Sequence, residues 1–244
     1  MGVSPLDPPS FAAAVCCART RPSPCAGSSW FCDDCEVEIE ASYDRVAEDY
    51  AAQFSDELSR KPFDRKMLDW LLEKAPADAP LCDMGCGPGQ VARYLTDRGA
   101  PACGIDLSGG MVACARRLHP GIPFEQGDMT ALCAVADGAY GAIAAFYSIH
   151  HFTREERAKA FAEWHRVLAA GGALLAAFHV GEDVVHTGEW WGKPVSLDFY
   201  FCDRAEVVAD LRAAGFAIEE VIERDPYPEA EYQSRRAYVF ARKP

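Results

Sequence analysis

The chain has 244 residues, half of them apolar, enough for one large domain with a substantial core. Its net charge of −13 argues against the clustered lysines and arginines that grip a phosphate backbone, so nucleic acid is not expected as a partner. No apolar run reaches the roughly 18 residues that span a bilayer, and the start lacks the pattern of a secretory signal, so a cytoplasmic protein without a membrane partner is expected.

Cys82, Cys86, Cys103, Cys114, Cys133 and Cys202 stand singly and read as small reduced hydrophobes. Cys16, Cys17, Cys25, Cys32 and Cys35 lie in the first 35 residues, where Cys32 and Cys35 could form half of a zinc site. The spacing of the other three matches no common ligand pattern, so no metal is expected. Residues 1–38, rich in Pro, Ser and Ala, read as a poorly ordered leader to a domain over 39–244.

Helical spacing begins in ASYDRVAEDYAAQF, where Tyr43, Val46, Tyr50 and Phe54 share a face behind Ser42 as candidate cap. A second helix is predicted over 62–74. Short apolar runs then alternate with helix-length segments: runs at 81–84, 102–105, 123–126, 141–146 and 173–178, helices at 90–98, 109–118 and 154–169. The last helix opens on TREE, with Thr153 as cap and Glu156 closing a capping box, and is expected to stop at Gly171. An aromatic, acidic segment at about 180–201 interrupts the pattern as a cap insertion. A helix, DRAEVVADLRAAG, and two strands that read as an antiparallel closing pair complete the chain. This is an α/β pattern: a doubly wound, mostly parallel sheet with helices on both faces, which binds ligands at the carboxyl ends of its strands.

Gly85, Gly87 and Gly89 fall between the first strand and its helix, where backbone amides can face a ligand. A dinucleotide loop would carry its third glycine at position 90, which is Gln90. Asp83 precedes the glycines at a strand end and suits a cation, directly or through water. Asp106 ends the second run, placed to accept from ribose hydroxyls. Asp128 and Met129 follow the third, suited to an adenine amino group and its ring face. A lone strand-end aspartate is more often a helix cap. Three at consecutive tips describe a ligand with a cationic tail, a ribose and an adenine, which is S-adenosylmethionine.

With DMGCGPG, GIDLS, GDM and LAAGGALLAAF in this order, the region 43–243 resembles the class I S-adenosylmethionine-dependent methyltransferases. The resemblance implies a seven-stranded sheet with an antiparallel last strand, S-adenosylmethionine as cofactor and S-adenosylhomocysteine as product. It adds Cys86, Leu107 and Phe146 to the cofactor residues, and makes the helix of Tyr43 and Tyr50 a lid.

Methyl transfer from a sulfonium needs an aligned acceptor, a dry site and, for some acceptors, a base. The fourth run leads into FYSIHHF, placing Tyr147, His150 and His151 beside the sulfonium end. A histidine pair here is similar to that of sugar O-methyltransferases, in which the first histidine is a base partnered by a carboxylate at the end of the next strand. This chain has Ala177, Phe178 and His179 there, with Glu182 and Asp183 shortly after. Alternatively, the two histidines brace the following helix. In the insertion, Trp190, Trp191, Phe199 and Tyr200 could wall an acceptor pocket with His186 as a polar contact, or simply bury one another. The Asn/Asp-Pro-Pro-Tyr/Phe signature for planar amides is absent after the fourth run. A small-molecule O- or N-methyltransferase is therefore expected, the alternative being a catalytically idle cofactor-binding regulator. A nucleotide oxidoreductase is opposed by Gln90 and Asp83.

Overall fold

The computed structural model describes residues 33–77 and 79–244, with side chains from Glu38 onward. Most of the predicted leader, with Cys16, Cys17, Cys25 and Cys32, lies outside the described residues, as does the side chain of Cys35. Helix α1 already runs over Asp33–Phe54, so Ser42 is not its cap. Ser42 is fully buried inside α1, and its hydroxyl accepts from the Ser196 amide at 2.9 Å.

After α2 (Pro62–Lys74), strands and helices alternate: β1 (Leu81–Met84), α3 (Gln90–Thr96), β2 (Ala102–Asp106), α4 (Gly109–Leu118), β3 (Phe124–Gln126), β4 (Tyr140–Phe146), α5 (Arg154–Val167) and β5 (Leu168–His179). A two-stranded hairpin, β6 (Val184–Trp190) and β7 (Lys193–Tyr200), precedes α6 (Arg204–Ala213), β8 (Ala217–Arg224) and β9 (Arg236–Arg242). The main sheet has seven strands in the order β3-β2-β1-β4-β5-β9-β8. Its first five are parallel, and β9 runs antiparallel to both neighbours.

The side chains of each strand alternate between two apolar layers. Ala142, Ala144, Leu175 and Phe240 face α2, α3 and α4, whereas Ile143, Ala145, Leu174 and Phe178 face α5 and α6. Thr153 and Glu156 form the capping box of α5. That helix ends at Val167, short of Gly171, because Leu168 already adopts extended geometry and pairs with Tyr140 of β4. The parallel strands thus end together at Met84, Asp106, Gln126, Phe146 and His179, and Arg236 opens β9 opposite His179.

Helix α1 and the hairpin roof this edge. Val46, Trp190, Val195 and Leu197 are buried between them, joined by Tyr43, Tyr50 and Phe54. Lys193 donates to the Arg45 carbonyl and pairs with Asp49, each at 2.7 Å. On its other side α1 packs on α4 through Ala47, Ala51, Met111 and Cys114. Asp44 accepts there from the Gly110 amide at 2.8 Å and from the Ser108 hydroxyl at 2.6 Å. The hairpin turn holds both Trp191 and Gly192 at positive φ, the twist of a two-residue loop. Trp191 tolerates it while stacked on Trp190, with ring centroids 4.8 Å apart.

Candidate active site

Between roof and strand ends lies a cavity of about 330 Å³, within the range of small-molecule sites. Its walls include Tyr43 and Tyr50 from α1; Gly85, Cys86 and Gly87; Asp106 and Leu107; Asp128 and Met129; and Phe146, Tyr147, His150 and His151. Trp190 and Tyr200 come from the hairpin.

The three glycines serve different neighbours. A Cβ on Gly85 would stand 2.4 Å from the Ser148 Cβ, and one on Gly89 would stand 2.6 Å from the Phe124 ring. At Gly87, the nearest atom is 3.8 Å away, on Tyr50, so this glycine leaves open space along the wall. Gly89 packs against Phe124 and is not part of the cavity wall. Ser148 reaches Gly85 because Tyr147, at φ 52°, turns the chain sharply after β4.

Asp83 is also outside the cavity wall. It is 1% exposed and sits beneath the loop, where Oδ2 accepts from the Ala92 amide at 3.1 Å in the first turn of α3. Burial pushes its pKa up to about 8. The acid on the wall at this end is Glu57, in the 3-10 turn Glu57–Arg60, beside Gln90. The Gln90 amide donates to Glu57 at 3.0 Å, and its Oε1 is buried without a hydrogen-bond partner among the described residues. This orphaned acceptor fits an ammonium, as the open wall at Gly87 fits a close-lying cofactor. In the sequence Gln90 stands only where a dinucleotide loop would have a glycine, and nothing in the local pattern singles out Glu57.

Asp106 accepts from the Gly87 amide at 2.8 Å and the Ser108 amide at 2.9 Å, one on each oxygen. A further acceptor position remains on each oxygen. Burial pushes its pKa up to about 6, against the lowering pull of the two amides. Asp128 accepts from the Thr130 amide and hydroxyl, both at 2.7 Å, in a turn that keeps it on the wall.

The two predicted catalytic histidines have separate environments. His151 Nδ1 lies 2.8 Å from the Asp198 carbonyl, which can only accept, so the proton resides on Nδ1. Nε2 then accepts from the Tyr43 hydroxyl at 2.7 Å. With both ring nitrogens engaged, His151 joins α1 to β7, and burial lowers its pKa to about 4. His150 leaves Nδ1 buried without a hydrogen bond among the described residues. Burial, then His151 and His179, hold its pKa well below the usual value. His150 is thus a neutral ring whose Nδ1 is enclosed and unpaired among the described residues.

The insertion splits likewise. Trp190 and Tyr200 reach the wall. His186 pairs with Asp198 on the exposed side of the hairpin, and Trp191 packs against Tyr50 and Phe54 in the roof, so neither lines the cavity. Glu182 and Asp183 are exposed. Wall residues that went unrecognised in the sequence include Lys61, Ser148, Glu231, Tyr232 and Arg236. An arginine opening the apolar run RAYVFAR was the available signal for Arg236.

Residues 82–176 match the methyltransferase domain family, and the chain belongs to the class I S-adenosylmethionine-dependent methyltransferases, whose cofactor is S-adenosylmethionine. It is 30% identical over 188 residues to a malonyl-[acyl-carrier protein] O-methyltransferase of Pseudescherichia vulneris, covering 66% of this chain and 73% of that one. It is 42% identical over 84 residues to a trans-aconitate 2-methyltransferase of Methylobacterium nodulans, covering 33% of this chain. The match spans 30% of that relative's own length, and 58% of a second malonyl-[acyl-carrier protein] O-methyltransferase, from Enterobacter lignolyticus. The fold matches a solved S-adenosylmethionine-dependent methyltransferase of Methanosarcina mazei with a TM-score of 0.64 at 16% identity, covering 71% of this chain and 96% of that one.

Proposed function

We propose that the chain transfers the methyl group of S-adenosylmethionine to an oxygen or nitrogen of a small-molecule acceptor, assisted by His150. The observation carrying this reading is that one roofed cavity joins the glycine loop, Asp106 and Asp128 to an aromatic end where His150 keeps a ring nitrogen unpaired among the described residues. One relative named above is a methyltransferase named for a small acid, trans-aconitate, which supports a small acceptor.

Asp106 receives the ribose hydroxyls on the acceptor positions its two amides leave vacant. Asp128 and Met129 border the adenine, Gly87 admits the cofactor against the loop, and Gln90 Oε1 with Glu57 receives the ammonium. When bound, S-adenosylmethionine would supply an electrophilic methyl group, which the acceptor's lone pair attacks in line while the C–S bonding pair returns to sulfur and S-adenosylhomocysteine leaves as the neutral thioether. Tyr43, Tyr50 and Trp190 close the roof and exclude water. His150, neutral and so able to accept, takes the proton of an acceptor hydroxyl or amine, acting in step with the transfer because burial weakens it as a base.

Incubation of the protein with methyl-labelled S-adenosylmethionine and a fractionated metabolite extract tests this reading. A labelled small-molecule product is expected. S-adenosylhomocysteine binding with no product from any fraction would oppose transfer, and label in protein or nucleic acid alone would oppose a small acceptor.

A further inference from the structure

At the acceptor end of the cavity, rings gather around His179. Its ring centroid lies 5.1 Å from that of Tyr147, 5.7 Å from Phe201, 6.1 Å from Tyr232 and 6.3 Å from His150. Phe199 extends the group, 5.3 Å from His150. All of these rings line the cavity. Phe201 lies at 30° to the plane of His179, and Phe199 at 31° to that of His150. The Ser234 hydroxyl, 2.7 Å from Nδ1, fixes the His179 ring. Burial, then the charges of Arg236, Lys61 and Arg224, hold its pKa well below the usual value, so the ring it presents is neutral.

The ionic groups beside these rings already satisfy one another. Lys61 pairs with Glu57 at 2.6 Å. Arg224 reaches Asp64 at 2.9 Å and both oxygens of Glu231 at 2.6 Å, and Arg236 Nε stands 3.3 Å from the same Glu231. Three cations thus meet three carboxylates. Asp198 pairs with His186, and Glu156 closes the capping box of α5. Glu38 and Arg60 are exposed at the rim, where water screens them. A charged acceptor entering here would give up its hydration without gaining a counter-ion, a cost that an uncharged one avoids.

We infer that the acceptor is an uncharged aromatic molecule, a phenol or an arylamine, whose ring packs among the rings around His179. This deepens the methyltransferase reading and rests on it. Offset or edge-to-face packing of ring on ring adds to the gain from apolar burial. In the transfer, the acceptor's oxygen or nitrogen forms the bond to the methyl carbon, the C–S pair returns to sulfur, and the acceptor's proton passes to His150. A phenolic hydroxyl gives up its proton more readily than an alkyl one, because the ring delocalises the charge left behind. That suits a histidine whose basicity burial has lowered.

The test is calorimetric titration at neutral pH of the full chain saturated with S-adenosylhomocysteine. The probes are 4-ethylphenol and 2-naphthol, their saturated counterparts 4-ethylcyclohexanol and decahydro-2-naphthol, and the charged analogues 4-ethylbenzoate and 2-naphthylmethylammonium. The tighter-binding phenol is expected to exceed its saturated counterpart by about threefold or more, the scale of one aromatic contact. It should exceed both charged analogues by about tenfold or more, because neither finds a counter-ion. Smaller ratios overturn the inference, as does undetectable binding of every probe. Phe201→Leu and His179→Leu should each lower the preference for the phenol over the saturated alcohol, with S-adenosylhomocysteine affinity unchanged; a preference unaltered in both also overturns it. Should neither variant fold, the comparison in the unaltered chain decides the matter. Failure to bind S-adenosylhomocysteine would instead count against the methyltransferase reading.

Discussion

His150 and His151 are adjacent in the chain, with ring centroids 4.3 Å apart, yet their hydrogen bonds assign them different work. His150→Ala should lower turnover by roughly 100-fold or more if its ring acts as base, with S-adenosylhomocysteine affinity intact by calorimetry; a retained rate would remove it from that role. The two buried aspartates can be tested by pH. Asp106 must be ionised to accept ribose hydroxyls, and its pKa is raised to about 6. S-adenosylhomocysteine affinity should therefore fall as pH drops through about 6, and Asp106→Asn should bind weakly with that dependence removed. Asp83 carries a folded pKa of about 8, above its ordinary value of 3.8. The folded state consequently holds this proton more tightly, and the associated stability, complete below about pH 4, is lost as pH rises through 8. Asp83→Asn should raise the melting temperature relative to the unaltered chain progressively between pH 5 and 8; an equal difference at both ends would show that Asp83 titrates normally.

At the scale of elements, legibility followed the origin of each contact. Gly85, Gly87, Asp106 and Asp128 were readable as wall residues because one strand-turn-helix unit supplies each of them. Gln90, Glu57 and Arg236 were not, since each acquires its neighbour from a distant segment: Gln90 meets Glu57 across 33 positions, and Arg236 meets His179 only through the pairing of β5 with β9. Ser42 misled for a related reason. A serine before an apolar stripe resembles a cap, whereas here the helix extends beyond it and the hydroxyl serves the hairpin. Asp44 ties α1 to α4, as Glu48 does with Arg117, while Tyr43 holds His151; Asp44→Ala, which frees the Ser108 hydroxyl and the Gly110 amide, should loosen α1 selectively. Hydrogen exchange should accelerate in α1 and in β6–β7 while β4 and β5 keep their protection, and S-adenosylhomocysteine should bind more weakly. Uniform acceleration throughout the sheet would mean that α1 opens only with the whole domain.

For the molecule as a whole, the strand and helix sequence was legible because alternating apolar runs must be covered on both faces, which leaves a doubly wound sheet as the natural arrangement. Phe178 lies fully buried in the layer beneath α5 and α6. Phe178→Ala should cost about 3–5 kcal/mol in denaturant unfolding; a cost below about 1 kcal/mol would place it outside the cooperative core. The sequence could not reveal that the roof combines the first described helix with an insertion about 140 residues later. Their junction passes through the floor, where Tyr43 donates to His151 and His151 donates to the Asp198 carbonyl of the hairpin. Lifting either half of the roof breaks this relay beside His150 and admits water to a ring whose neutrality depends first on being dry. In the proposed reaction, an uncovered histidine would regain a more ordinary proton affinity and respond to the pH of the medium, whereas the covered one responds to the substrate. The same hydroxyl that closes the chamber would thereby set when its base is insulated from bulk acid.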